Sequence, residues 1–162
     1  MHTTKAKNCR VILVACLCLM VLLCGCGGSR NEVPDSGLVQ VINPLVTVDS
    51  VEDMEEYLGY TVPVLEKEAD SHIVLVIDGA AESGRIRYAD GSDFNIGQGT
   101  GDISGIYGGV PEGEKTISGV AVSFFTFEDM RYAIWEKDGF AFSLTGAAAL
   151  EQDVAALIGA CG

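Results

Sequence analysis

Basic residues are scarce in this chain. Of its 162 residues, ten are Lys or Arg and 23 are Asp or Glu. Lys5, Lys7 and Arg10 stand before Cys26, whereas every acidic residue follows it. From Cys26 onward, seven basic residues face 23 acidic ones, a net charge of −16. That excludes nucleic-acid binding, which needs a basic footprint. It also disfavours adhesion of the domain surface to anionic lipid head groups. The charge suits a soluble surface outside the cell, or a cationic partner or divalent metal.

Cysteine is equally short. Cys9, Cys16, Cys18 and Cys24 fall in the first 25 residues, Cys26 follows, and only Cys161 remains. The rest of the chain therefore holds no internal disulfide and no C-x-x-C pair for zinc or redox work. Cys161 is expected to be a small apolar residue near a helix end, with pairing between chains as the alternative. After His2 there is one histidine, His72, at the start of an apolar run with no nucleophile beside it. It is expected to be structural. No serine stands in G-x-S-x-G. The expectation is a protein that is not an enzyme, an enzyme with an unrecognised site being an alternative.

What is present begins with the N-terminus. "MHTTKAKNCR" is a charged region, followed by the apolar "VILVACLCLMVLLCGC". The run is shorter than the roughly 20 residues that a spanning helix needs, and it has the form of a signal peptide. Its end, "LCGC", resembles a bacterial lipobox, in which the final cysteine is lipidated. Leu23, Gly25 and Cys26 match, and Cys24 stands where Ala or Ser is usual. The expected organisation is a signal peptide over 1–25, a lipidated Cys26 with a polar tether over 26–40, and a domain over 41–162. That domain is long enough for one core.

Within it, Ser50 and Asp53 predict the start of a helix carrying Val51, Met54 and Leu58 on one face, and Gly59 its end. "HIVLVIDG" predicts a buried strand and "RIRYADGSDFNIG" a hairpin around Asp90-Gly91. "KTISGVAVSFFTF" reads as one long β-type run. "MRYAIWEKDGFAFSLTG" predicts two strands about a turn at Lys137-Asp138-Gly139. Leu150, Val154, Leu157, Ile158 and Cys161 form the stripe of a closing helix. Together these predict an α+β fold: a single antiparallel meander of about five or six strands, with a short N-terminal and a C-terminal helix packed on one face. The other face is then wet, or covers something.

"FNIGQGTGDISGIYGG" holds six glycines in sixteen residues. It is not a dinucleotide loop: Gly97, Gly99 and Gly101 are two apart, Asp102 stands where the third glycine belongs, and no helix pattern follows. It has no lysine for a Walker loop. It reads as a connection between strands whose glycines permit unusual φ. Asp90, Asp93 and Asp102 are candidate calcium ligands beside the hairpin, although "DGSDF" lacks the spacing of a calcium loop. Glu112 and Glu114 are expected to be solvated, and Trp135, Phe124, Phe125 and Phe127 to be core.

Several stretches carry a resemblance. "NPLVTVDSVEDMEEYLGYTVPV" resembles the opening of a group of small bacterial lipoproteins, and "DISGIYGG" a signature of the same group. "YAIWEKDGFAFSLTG", with Trp135, Gly139, Phe142 and Leu144, resembles the ending of the domain of unknown function 4367. The resemblance covers roughly residues 41–159. It implies an α+β domain outside the membrane, a structural role for the glycine stretch, and no catalytic residue. The expected function is a membrane-anchored extracytoplasmic lipoprotein, a non-catalytic binding or envelope-sensing or assembly module. Its expected partner is an envelope protein or a small ligand, with no cofactor beyond the lipid on Cys26. A divalent-cation module is the alternative.

Overall fold

The computed structural model describes residues 43–146 and 150–161. The expected signal peptide, Cys26 and most of the tether lie outside the described residues. The chain divides between Val41 and Ile42 into two units, and the description below is of the second.

Among the described residues, eight antiparallel strands form one sheet. In chain order they are β1 (Leu45–Val48), β2 (Ala69–Ile77), β3 (Ala80–Tyr88), β4 (Asp93–Gln98), β5 (Val110–Ile117), β6 (Val120–Phe127), β7 (Met130–Lys137) and β8 (Phe140–Thr145). Helix α1 (Val51–Leu58) follows β1, and α2 (Leu150–Ala160) follows β8. The order across the sheet is β1-β2-β3-β4-β8-β7-β6-β5. Two four-stranded meanders thus meet at the β4–β8 pair in the middle.

The fold class is the expected one, but the strand number is eight rather than five or six. Two signals were hidden. β1 is only four residues long, too short for its alternation to stand out. The long run from Lys115 to Phe127 is two strands, broken by Ser118 (φ 48°) and Gly119 (φ 83°). Two consecutive positive φ values close a tight hairpin whose twist matches its strands. Asp138-Gly139 repeats that geometry, as the turn read from the sequence requires.

Helix α1 forms where its cap predicts. Ser50 is extended, its Oγ accepts from the Asp53 amide at 3.1 Å, and Gly59 ends the helix at φ 75°. Met54 and Leu58 are buried against β2 and β3. Gly84 of β3 permits this approach: a Cβ there would stand 2.8 Å from Met54 Sδ and 2.9 Å from Leu58 Cδ1. Helix α2 buries Leu150, Val154, Leu157 and Ile158 against β7, β5 and β8. Lys137 caps its C-terminal end, donating to the carbonyl oxygens of Cys161 at 2.6 Å and Ile158 at 3.3 Å. A cation there also meets the negative end of the helix dipole.

Both helices lie on one face. Strand neighbours in register share a face, so Val74, Ile96, Phe142, Trp135 and Val122 line up beneath the helices. All five are buried in a single core cluster with residues of both helices. Trp135 and Phe142 stack at 5.3 Å between ring centres. Of the aromatics expected in the core, Trp135 and Phe124 are there. Phe125 is on the opposite face, stacked on Tyr132 at 5.0 Å.

Candidate functional site

The face away from the helices is not bare. Asn95, Ser143, Ala141 and Tyr132 point there by register and are all at most 5 % exposed. Their cover is the glycine-rich connection, residues 99–109, between β4 and β5. The Gly101 amide donates to Glu136 Oε1 at 2.8 Å. Gly101 has φ 110°, which a side chain would oppose. Gly105 passes 4.0 Å from Arg85 Nη2, measured from where its Cβ would be. Gly109 lies directly on Tyr132, whose hydroxyl a Cβ at residue 109 would overlap. The connection is therefore a strap seated on the sheet, and some of its glycines are there for closeness as much as for φ.

The strap is folded by its own polar residues. The Ser104 amide donates to Asp102 Oδ1 at 2.8 Å, and the Ile106 amide to Ser104 Oγ at 3.1 Å. These are local turns in which side chains replace backbone acceptors. Ser104 is buried as a result. Beneath it runs a polar chain: Arg85 Nε donates to Asn95 Oδ1 at 2.8 Å, and Asn95 Nδ2 donates to Ser143 Oγ at 3.0 Å. Arg85 is the one cation among the described residues without a carboxylate partner. Lys67, Arg87, Lys115, Arg131 and Lys137 all have one. Burial, with the nearby Asp102 charge, pushes the Tyr132 phenol above its ordinary range.

Beside the strap the face opens into a groove of about 450 Å³. Its floor is Val120, Ala121, Ser123 and Ile134, and its carboxylates are Asp102, Glu114 and Glu136. A second concavity, about 290 Å³, opens on the helix side among Tyr60, Pro63, Ile96, Phe140, Phe142 and Cys161.

The three candidate calcium ligands are not brought together. Asp90 pairs with Lys67 at 2.7 Å and accepts from Ser92. The Lys67 and Ser92 hydrogen bonds hold its carboxyl far below the usual range. Asp93 pairs with Arg87 at 3.1 Å, and Asp102 belongs to the strap. Among the described residues no three His, Cys, Asp or Glu side chains converge as a metal site. Glu112 is not simply solvated: Arg131 grips both its oxygens, with a closest approach of 2.7 Å. That bond and one from Thr126 lower its carboxyl to about 2. His72 stands on β2 opposite Val48 and Ile86 and lines neither concavity.

Sequence reasoning missed Arg85, Asn95, Tyr132, Glu136 and Ser143. One signal was available. β4 and β8 alternate large apolar residues with Asp93, Asn95, Gly97 and with Ala141, Ser143, Thr145. Small and amide side chains at the centre of a wide sheet leave room for a second cover.

A comparison with protein-family models, with curated proteins and with solved structures finds no match to the chain.

Proposed function

We propose that the protein is a lipid-anchored extracytoplasmic binding module without catalysis, working through its strap face. The lipobox at Leu23 to Cys26 supports the anchor. The resemblance to small bacterial lipoproteins and to the domain of unknown function 4367 supports the extracytoplasmic setting; the stretch that resembles the first group falls on the strap, and the one that resembles the second on the β7–β8 hairpin. The groove beside the strap carries the binding reading. It joins an apolar floor to three carboxylates, so the partner that fits is a basic segment of an envelope protein with apolar residues between its charges. The polar groups under the strap are spent on one another, which gives them a supporting role rather than a reactive one.

Two experiments test this. Replacing Cys26 by Ala should release the protein from membranes and abolish its lipid label; retention with no change in label contradicts the anchor. A blocked Lys-Val-Lys-Val-Lys peptide should raise the Tm of the full-length protein, and salt should weaken the effect. The triple variant Asp102→Asn, Glu114→Gln, Glu136→Gln should lose that shift. An unchanged shift in the variant contradicts the groove.

A further inference from the structure

Among the described residues β5 closes the sheet: β6 pairs with one side of it, and no strand pairs with the other. Every β5 residue except Ile117 is exposed. The hairpin fixes where its backbone groups point. Ile117 pairs with Val120 across the two-residue Ser118-Gly119 turn, so Ile117 and, by alternation, Lys115 exchange hydrogen bonds with β6. At Glu114 and Thr116 the N–H and C=O groups point out of the sheet edge instead. The irregularity between Pro111 and Gly113 ends this regular stretch, and Pro111 has no N–H to offer. The edge open to pairing is thus Gly113 to Ile117.

Such edges are commonly guarded by a lysine. Here Lys115 is drawn to the helix side, its Nζ 2.6 Å from Glu151 Oε1 and 5.7 Å from the centre of the Phe124 ring. The opposite edge of the sheet is blunter: β1 has four residues, and its Leu45 amide donates to Asn43 Oδ1 at 3.2 Å. The two sides of the β5 edge also differ. Glu114 and Thr116 stand on the strap side, Glu114 lining the groove. The Lys115 stem and Ile117, which packs on the core, stand on the helix side. Successive residues of an extended chain point to opposite faces. A segment with a cation at every second position and apolar residues between therefore matches both sides at once. A second copy of this chain does not, since its β5 would add another Glu114 to the strap side.

We propose that the basic partner segment binds as a ninth strand, antiparallel to β5, with cationic residues opposite Glu114 and Thr116 and apolar residues opposite Lys115 and Ile117. This rests on the strap-face reading and adds how the partner is held. In an antiparallel pair, residues that exchange N–H and C=O bonds stand directly opposite each other and share a face. The cationic residues of the partner therefore also make its main-chain bonds to β5. Their aliphatic stems lean over Thr116 toward the groove, and their charged ends face Glu114, with Asp102 and Glu136 behind it.

The test uses full-length protein in detergent and three forms of the blocked Lys-Val-Lys-Val-Lys peptide: unmodified, N-methylated at the central lysine amide, and N-methylated at both valine amides. The central lysine faces Glu114 or Thr116 in either possible register. Its methyl group removes a bond to β5 and should weaken binding about tenfold, the worth of one hydrogen bond. The valine amides point to solvent, so methylating both should leave affinity unchanged. Hydrogen exchange at the Glu114 and Thr116 amides should slow when the unmodified peptide binds. Thr116→Pro removes one outward amide from an edge that tolerates proline, and should weaken the peptide without lowering the Tm of the free protein. The peptide series leaves the protein unaltered and decides by itself. Equal affinity for all three peptides would overturn the added strand, as would weaker binding of the valine-methylated form than of the lysine-methylated one. If the unmodified peptide still binds in those cases, and the Asp102, Glu114 and Glu136 triple variant loses it, the groove reading stands without the strand. No binding of the unmodified peptide would overturn both.

Discussion

Two rows of residues cross this sheet one position apart, on opposite faces. On the helix side the row reads Val46, Val74, Gly84, Ile96, Phe142, Trp135, Val122, Lys115. On the strap side it reads Thr47, Ile73, Arg85, Asn95, Ser143, Ile134, Ser123, Glu114. Both rows are buried at the centre, Phe142 at 2 % exposed and Ser143 at 0 %. The means of burial differ. The first row is covered by two amphipathic helices, and the gain is removal of apolar area from water. The second is covered by a glycine strap, and the gain is hydrogen bonds plus an approach too close for side chains. One face is built to hold the fold together. The other is built to carry polar groups next to an open groove.

The comparison is broken most severely from the helix side. Leu157 is fully buried under α2. Leu157→Ala should lower unfolding stability by about 2–5 kcal/mol, the cost of lost burial plus a cavity. Urea denaturation measures it, and the loss should be global. Gly109→Ala attacks the strap side. Overpacking of this kind costs about 1–3 kcal/mol, and the strap can relieve it by lifting away from Tyr132. Hydrogen exchange should therefore quicken across residues 99–109 while β2 and β3 stay protected. Faster exchange throughout the sheet would mean the strap is part of the core.

The smallest effect is one of pH. Lys67 ties Asp90, in the β3–β4 turn, to Asp153 of α2, with both contacts at 2.7 Å. In the folded protein the Asp90 carboxyl is held well below its ordinary value of 3.8. A carboxyl depressed by folding adds stability above that ordinary value, and the contribution drains away as pH falls below it. The urea midpoint should thus decline below about pH 4, and Asp90→Asn should flatten part of that decline. An identical acid slope in the variant would remove Asp90 from the account.

These two modes of burial also decide how much could be read in advance. The helix face was legible because apolar burial leaves periodic marks: Met54 and Leu58 on α1, the Leu150 to Ile158 stripe on α2, and the Phe140, Phe142, Leu144 alternation on β8. Local turn chemistry was legible at Ser50, Gly59 and Gly139 for the same reason. The strap face was not. Asn95 and Ser143 share a hydrogen bond although 48 positions apart, and Arg85 joins them from ten positions before Asn95; no local pattern announces a partner as distant as Ser143. The six glycines marked a connection but not its destination, since nothing in a glycine run says which surface it lies on. The aspartates illustrate the converse error. Asp90 and Asp93 looked available because they are close in sequence, yet Lys67 and Arg87 had taken them.

The central claim is that the strap face is the binding face, and the most direct measurement locates binding on the molecule. Isotope-labelled full-length protein in detergent would be titrated with the blocked Lys-Val-Lys-Val-Lys peptide while backbone amide resonances are followed. The account predicts saturable shifts at Gly101, Asp102, Ser123, Ile134 and Glu136, weakening with salt, while Met54, Val74 and Leu157 stay still. Shifts confined to the helix side, or none at any of the five, would contradict it.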